Sequence, residues 1–427
     1  MWRAGVMALL ACVGCNQVFG LGQTAAVDAP VIPGGSCGSD NSCGGAEVCD
    51  TATMQCVQCT AADATACQGV TPVCAADACR GCVQHSDCAS DVCLQDGSCA
   101  DAAAVAYVSG SGADPATGTP VCAQATPCAT VNAALAAGKA TIKVRGSING
   151  SVSIGAGSVS IIGDDDAELH GTGGPTVDIG TTATVTLRDL AISNGDPGVQ
   201  VTGASSTANV SVFHSEISHN VSTGIVVSPS GANAHPVLTI AQSRIESNPA
   251  GGISVLQSGG ASTFHIVGNV FFANGTATSS AGGASLTSTR TDNTLDFNTF
   301  VKNLTVLGSS AGIQCASSLV ASNNIIVNNS DGSTGGQVTS QTSGSCNYGF
   351  TIASPGTVPG GGGQPGGMNM FTAPVFKNID AGDLHLLGTS PGIAAANPNA
   401  SLMGLAADDP DGTPRHAPAS VGAFQFH

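Results

Sequence analysis

The residues able to carry out acid–base chemistry are few and lie close together in two similar segments. Glu216 falls in the segment 215–220, and Arg244 and Glu246 fall in the segment 243–248. Two carboxylates beside an arginine could act as general acid and base while the arginine binds a substrate carboxylate. The same side chains could instead form an exposed ion pair, worth roughly 0–1 kcal/mol. Because such groups are scarce in this chain, the ion pair is favoured and no catalytic residue is assigned.

A run of acidic residues offers a second kind of site. Asp164, Asp165 and Asp166 follow a predicted strand, and neighbouring carboxylates can ligate calcium. Asp164 and Asp166 are therefore calcium candidates. Strand geometry turns the middle carboxylate away from the other two, so a solvated corner is favoured. The sequence requires no metal and no other cofactor.

Cysteines form the most regular chemical pattern. Between residues 37 and 99 they fall into three groups of four: Cys37, Cys43, Cys49 and Cys56; Cys59, Cys67, Cys74 and Cys79; Cys82, Cys88, Cys93 and Cys99. Units of this size are too small to bury an adequate core and need covalent staples. Disulfides are therefore favoured over zinc, which two Cys-x-x-Cys pairs keep open. Their connectivity cannot be read from the sequence.

Two further disulfides are predicted later in the chain. Cys122 and Cys128 enclose a short loop, and Cys315 and Cys346 are separated by about one repeat. An alignment of the glycine-led strands makes Val338 the neighbour of Cys315 on the following repeat, which leaves the position of Cys346 relative to Cys315 open.

The N-terminus has the features of an export signal. One positive charge precedes an apolar run over 4–13 that is too short to span a bilayer. The run ends in Cys12-Val-Gly-Cys15, and residues 1–15 resemble a bacterial lipoprotein signal with the lipid on Cys15. Cys12 is the alternative, but its modification would leave an unpaired thiol in an exported protein. Residues 16–36 form a tether, and attachment to the outer membrane or cell surface is expected, with secretion as the alternative.

A repeat must position all of these side chains. Six similar segments end in an asparagine at intervals of roughly 27 residues: Asn194, Asn220, Asn248, Asn274, Asn303 and Asn328. Short strands with period-2 alternation and polar corners predict a parallel β-solenoid whose rungs stack about 4.8 Å apart. The asparagines are expected at a tight bend, where their amides hydrogen-bond from rung to rung.

The glycine-led strand of each repeat predicts which side chains face inward. Its apolar pairs point to the core: Val199/Val201, Ile225/Val227, Ile253/Val255 and Ala284/Leu286. Its outward column contains no acid, base or metal ligand: Gln200, Val226, Ser254, Ser285 and Gln314. This face is predicted to be either a purely structural surface or a surface that binds sugars through hydrogen bonds. Glu216 and Arg244 share one position on successive rungs, about 5 Å apart.

From about residue 105 to residue 427 the chain resembles the right-handed parallel β-helix (pectate-lyase-like) superfamily. The motifs that carry the resemblance are the opening 107–112 and 127–135 and the C-terminal units 374–376, 382–386, 390–393, 411–415 and 421–424. It implies an all-β fold: a right-handed parallel β-helix over 105–427 with an N-terminal helical cap and a C-terminal cap that finishes the stack, preceded by the disulfide-rich domain 37–99. The Asp pairs, Gly-His-Gly and Arg-x-Lys of polygalacturonase-type glycosidases do not occur.

Composition limits the partners. The net charge of −17 and the isoelectric point near 4.5 argue against nucleic acid. The expected function is a surface or envelope lipoprotein, held to the membrane by its lipid, whose non-catalytic rod binds a glycan or a surface protein in adhesion. The alternative is a polysaccharide lyase or glycoside hydrolase that acts on an extracellular polysaccharide at Glu216 and Arg244. Calcium is the cofactor that this alternative leaves open.

Overall fold

The computed structural model describes residues 35–39, 43–44, 47–203, 206–332, 341–356, 358 and 369–427. The two candidate lipid-attachment residues, Cys15 and Cys12, lie outside these ranges, as do Val338 and nearly all of the tether. In the part of the chain that is described, no helix has the length and apolarity needed to cross a membrane.

The strands from Val105–Ser109 to Ile352–Ser354 form a parallel β-solenoid in which most rungs contribute one strand to each of three sheets. The glycine-led sheet contains the strands Val199–Gly203, Ile225–Pro229, Ile253–Val255, Ala284–Thr287, Ile313–Ala316 and Thr342–Gly344. The long strands Val152–Gly163 and Val177–Arg188 begin in this sheet and continue into the next one.

The other two sheets complete each rung. The middle sheet contains Val105–Ser109, Thr141–Arg145, Asn209–Phe213, Val237–Ala241, Thr263–Val267, Thr294–Asp296, Val320–Ser322 and Asn347–Gly349. The asparagine-unit sheet contains Ser147–Asn149, Glu168–His170, Ala191–Ser193, Glu216–Ser218, Arg244–Glu246, Val270–Phe272, Thr299–Val301, Ile325–Val327 and Ile352–Ser354. A short parallel pair joins Leu304–Thr305 to Ser330–Asp331.

The elements outside the three sheets are short. The helix Val131–Ala136 starts at Thr130, whose hydroxyl accepts from the N–H of Ala133, and it buries Val131 and Ala134. Antiparallel pairs join Val48–Asp50 to Gln55–Val57, Val73–Ala75 to Ala78–Arg80, and Phe376–Asn378 to Asp383–Leu386. Single 3₁₀ turns occur at His85–Asp87, Ala102–Ala104 and Gly404–Ala406.

The predicted columns of the glycine-led sheet are confirmed. Val199, Ile225, Ile253 and Ala284 are paired on successive rungs and are buried in one continuous core. Gln200, Val226, Ser254, Ser285 and Gln314 are paired in the same way and alternate with the buried residues. Side chains therefore meet their counterparts above and below, and the rings of Phe271 and Phe300 stack with centroids 4.3 Å apart.

A ladder of buried amides closes the turn after the asparagine-unit sheet. Asn274 accepts from the backbone N–H of Asn248 at 3.3 Å and from its side-chain amide at 2.9 Å. The amide nitrogen of Asn274 donates to the carbonyl of Ile245 at 2.8 Å and to the amide oxygen of Asn303 at 3.0 Å. These bonds satisfy backbone groups that β-pairing does not reach at the bend. The ladder runs through Asn220, Asn248, Asn274, Asn303 and Asn329 and ends at Gln341.

The predicted ladder was therefore wrong by one residue at both ends. Gly195 and Asn329 occupy the ladder position, and Asn194 and Asn328 are the residues immediately before them. That preceding position has the left-handed backbone conformation on six rungs, at Asn194, His219, Ser247, Ala273, Lys302 and Asn328. Asparagine suits both positions, one for its amide and the other for its tolerance of positive φ, so the sequence pattern alone did not separate them.

A second ladder lies at the turn before the asparagine-unit sheet. The side chain at this position accepts from the backbone N–H of its counterpart on the preceding rung, as Asn298 does from Asn269 at 3.0 Å. Its members are Ser215, Ser243, Asn269, Asn298 and Asn324. They are the residues that open most of the repeated segments, a signal the sequence analysis did not use.

Each cysteine group pairs its first cysteine with its third and its second with its fourth. The bonds are Cys37–Cys49, Cys43–Cys56, Cys59–Cys74, Cys67–Cys79, Cys82–Cys93 and Cys88–Cys99. Cys122–Cys128 and Cys315–Cys346 are also bonded. The strand that follows Cys315 on the next rung is Thr342–Gly344, with Gly344 as its partner, so the alignment that placed Val338 there was wrong. With these sulfurs in disulfides, the zinc interpretation has no thiolates in the described residues.

The third cysteine-rich unit, residues 82–99, packs against the outer surface of the middle sheet. The hydroxyl of Tyr107 donates to the carbonyl of Ser90 at 2.8 Å. Asp91 pairs with Arg145, and the ring of His85 lies 3.2 Å from the carboxylate of Asp189. Val92 is fully buried in this contact. This unit is thus joined to the solenoid as well as being stapled internally.

Residues 371–427 lie along the flank of the solenoid. From the sequence they were expected to cap the end of the stack. Leu384, Leu386 and Val421 pack on outward side chains of the asparagine-unit sheet, including Val301 and Ile325. Burial of this apolar strip favours the flank position.

One histidine holds two parts of this C-terminal segment together. His385 Nδ1 lies 2.6 Å from Asp383 and its Nε2 lies 2.7 Å from Asp411, with the ring on Phe424 at 4.1 Å. Partial burial opposes protonation, but the hydrogen bonds to both aspartates raise the pKa of His385. The charged imidazole is therefore the form that the folded segment stabilises.

We predict that Asn274→Ala destabilises the protein by about 2–4 kcal/mol, because the buried N–H of Asn248 and the carbonyl of Ile245 lose their partner and Asn303 loses one of its donors. Asn328→Gly is the matched control: the exposed residue lies outside the ladder at positive φ, and a change under about 0.5 kcal/mol is expected. Thermal and urea unfolding measure both. Equal effects of the two substitutions would contradict the ladder.

We predict that the contribution of His385 to stability depends on pH. Because the pKa is raised in the folded state above 6.5, the contribution is complete below that value and is lost as pH rises through the folded pKa. The difference in Tm between the protein and His385→Asn should therefore be largest near pH 5–6 and shrink towards pH 9. His416→Gln, at an exposed histidine, is the control. A difference in Tm that grows with pH would show that the contacts of His385 with Asp383 and Asp411 do not stabilise the charged imidazole.

Candidate functional site

The outer surface of the asparagine-unit sheet changes character part way along the stack. The rungs from Ser147 to Glu246 present mostly polar outward pairs: Ser147/Asn149, Glu168/His170, Ala191/Ser193, Glu216/Ser218 and Arg244/Glu246. The following rungs present mostly apolar pairs: Val270/Phe272, Thr299/Val301, Ile325/Val327 and Ile352/Ser354. The C-terminal segment covers the apolar rungs. The polar rungs, here called the polar shelf, contain all three candidate catalytic residues.

The structure places Glu216 and Arg244 side by side but does not pair them. Their strands are in register at these two residues, yet Arg244 bonds to Glu246 on its own strand. Its guanidinium also donates to the carbonyl of Gly382 at 3.2 Å and lies 5.3 Å from the ring centroid of Phe272. Glu216 accepts from the hydroxyl of Ser218 at 2.6 Å. Arg244 thus attaches the C-terminal segment to the flank, and Glu216 stays on the solvent side.

A second cluster on the shelf contains a serine, a histidine and a glutamate. Ser193 and His170 are partners on adjacent strands, and Ser193 Oγ lies 3.1 Å from His170 Nδ1. The serine hydroxyl donates to Glu168 at 2.8 Å, and this bond lowers the pKa of the Glu168 carboxyl. The sequence analysis did not find this cluster, which becomes visible once residues 168–170 are aligned with 191–193.

This cluster lacks the geometry of a nucleophilic triad. In a triad the serine bonds one ring nitrogen of the histidine and the carboxylate bonds the other. Here Ser193 and Glu168 both face Nδ1, at 3.1 Å and 3.3 Å, while Nε2 contacts the amide of Asn194. Glu168 therefore cannot orient the imidazole to accept the serine proton, and the cluster serves as a hydrogen-bonded surface patch.

The calcium candidates are engaged by other groups. The two oxygens of Asp164 bond Lys143 Nζ at 2.6 Å and Arg145 Nε at 3.2 Å, and Asp166 accepts from the backbone N–H of Gly146 at 3.3 Å. Lys143 is fully buried beneath the third cysteine-rich unit, and burial lowers its pKa. Asp164 therefore already pairs with two basic side chains, which disfavours a calcium ion on the same carboxylate.

The outer surface of the glycine-led sheet offers mainly hydroxyl and amide groups in its central column, whose one acidic member is Asp178, the neighbour of Gln200 on the preceding rung. Ser254, Ser285 and Gln314 are partly exposed on successive rungs. Gln314 Nε2 donates to the carbonyl of Ser280 at 2.8 Å, which fixes the amide at one edge of the surface. Hydroxyls and amides spaced at the rung interval can bind the hydroxyls of a saccharide, but they cannot supply the proton transfer that cleavage requires.

A comparison with protein families agrees with this architecture over part of the chain. Residues 140–300 match the family described as right handed beta helix region. The crystal structure of pectate lyase Pel9A is similar at a TM-score of 0.45 and 14% sequence identity, over 76% of this chain and 96% of that one. A comparison with curated proteins gives no match. The chain is thus a right-handed parallel β-helix preceded by a disulfide-rich region.

Proposed function

We propose that this chain is an exported, lipid-anchored surface protein whose β-helix binds a glycan without cleaving it. The observation that carries the proposal is the state of Arg244. Its guanidinium bonds Glu246 and the carbonyl of Gly382, so the cation that would have to hold a substrate carboxylate is used to fasten the C-terminal segment. A lyase or hydrolase centred on Glu216 would lack that partner.

The outer surface of the glycine-led sheet supports the binding half of the proposal. Its central column runs through Gln200, Val226, Ser254, Ser285 and Gln314 in strict register. Neutral hydroxyl and amide groups at a repeat of about 4.8 Å form a rigid surface that loses little entropy on binding. Asp178, beside Gln200, is the one charged residue of this column, so the surface suits neutral polysaccharides, and the net charge of −17 disfavours strongly acidic ones.

The disulfide-rich region supports export. Eight disulfides require an oxidising compartment. The apolar run over 4–13, which contains Cys12 and is followed by Cys15, is the proposed signal, with Cys15 as the proposed lipid site. Protein ligands at the surface are the competing partner class, and the binding experiment below separates them from glycans.

We predict saturable binding without turnover, strongest for neutral glycans, when the purified protein is screened on neutral polysaccharides beside pectins, alginates and glycosaminoglycans, with and without calcium. Ser285→Arg, in the centre of the glycine-led surface, should weaken binding about tenfold or more by steric block. Ser211→Arg is the matched control on the outer surface of the middle sheet. Glycan arrays with reducing-end and unsaturated-product assays give both readouts.

The outcome that contradicts the proposal is turnover that disappears in Glu216→Gln or Arg244→Ala. Binding that survives Ser285→Arg but fails with Ser211→Arg would move the binding surface to the middle sheet. Absence of any glycan binding would leave the protein-partner class as the better reading and reject the glycan.

We predict that Cys15→Ser releases the protein from the membrane fraction, whereas Cys12→Ser leaves it attached, because lipidation at Cys15 leaves an even number of cysteines to pair. Fractionation of cells that express each variant, together with metabolic labelling by a fatty acid, measures the effect. Release by Cys12→Ser alone would assign the lipid to the other cysteine, and release by neither would reject the anchor.

A further inference from the structure

A cavity of about 310 Å³ lies between the outer surface of the middle sheet and the C-terminal segment. Thr294, Asp296 and Ser322 form its floor on two successive rungs, and Asn397 with residues 400–401 and 403–406 forms the opposite wall. It is remote in the fold from the glycine-led surface, since it opens on a different sheet. A space of this size accommodates one sugar ring or a molecule of similar bulk.

Asp296 is the one ionisable residue among those that line the cavity in the described part of the chain. One carboxylate oxygen accepts from the backbone N–H of Ser322 at 2.8 Å. Burial raises the pKa of Asp296 to about 6, against the opposing effect of that hydrogen bond. The site therefore holds a carboxylate that the protein desolvates without neutralising.

No basic side chain lines this cavity in the part of the chain that the structure describes. Arg290 pairs with Asp292 at 3.2 Å, and Lys302 pairs with Asp380 at 2.6 Å. Arg415 lies over the ring of Phe297, with its guanidinium carbon 4.6 Å from the centroid. None of these cations lines the cavity, and neither do His265, Asp292, Asp408 or Asp409 from the elements that enclose it. Within the described residues Asp296 thus has no cationic partner.

We propose that this cavity binds a small molecule that carries a primary ammonium group beside hydroxyl groups, such as an amino sugar or an amino alcohol. The ammonium group neutralises the Asp296 carboxylate and donates to it. Thr294 and Ser401 supply hydroxyls for the polar edge of the ligand, and Val267 and Leu405 supply apolar contact for its carbon face. An anionic ligand would meet the carboxylate with like charge, and a neutral sugar would leave it without a counter-ion.

The test uses the folded full chain in calorimetric and saturation-transfer titrations. Glucosamine and ethanolamine are the probes, and glucose and ethylene glycol are their neutral counterparts. The amines should bind saturably at pH 7 and about tenfold more weakly at pH 5, where a group of pKa about 6 is mostly protonated. Asp296→Asn should weaken amine binding by about tenfold or more. Asparagine keeps an acceptor for the N–H of Ser322, so the fold is retained.

Two controls make the outcome decisive. Asp292→Asn changes a nearby carboxylate that is exposed and outside the cavity, and affinity should stay within about twofold. Ser401→Trp fills the mouth from the C-terminal segment and should abolish binding without changing the sheet. The proposal is overturned if glucose binds as well as glucosamine, if both cavity variants bind normally, or if neither amine saturates. Because the site and the glycine-led surface are separate, loss of glycan binding in Ser285→Arg has no bearing on this result.

Discussion

Each ladder asparagine accepts a hydrogen bond from the backbone N–H of its counterpart on the preceding rung. Its own side-chain amide donates hydrogen bonds to the rungs on either side, as that of Asn274 does to Ile245 and Asn303. A net hydrogen bond adds only about 0.5–1.5 kcal/mol, whereas a buried group left unpaired costs about 1–3 kcal/mol. The main effect of the ladder is therefore to destabilise shifted registers. A rung that slips by one residue loses several hydrogen-bond partners together. This requirement fixes which side chains stack, and the columns inside and outside the solenoid follow from it.

Fixed columns explain how one flank can be structural along part of its length and open along the rest. The outward pairs Val270/Phe272 and Ile325/Val327 create a strip that water disfavours, and the C-terminal segment covers it. Arg244 sits where the strip begins and joins the covered rungs to the polar shelf through Gly382. The sequence made Arg244 a candidate for an active site, but in the structure it lies at the edge of the contact between the C-terminal segment and the flank.

The inward and outward columns of the glycine-led sheet and the pairing of Cys315 with Cys346 could be predicted because they depend on period-2 alternation and on repeat length. The exact ladder could not be read, because Asn194 and Asn328 satisfy a backbone requirement that looks the same in sequence as the amide requirement of Asn329. The position of the C-terminal segment depends on contacts between residues more than 70 positions apart, such as Lys302 with Asp380. The cavity at Asp296 exists only once that segment is in place, so no local pattern announced it.

The flank cover also sets an order of events during synthesis. Residues 371–427 emerge after all of the rungs that they protect, so a growing chain must pass through a stage in which the apolar strip faces water. Chaperones and proteases recognise exposed apolar surfaces of this kind. A chain that stops before this segment would therefore keep its rungs and its disulfides while it exposes the apolar strip.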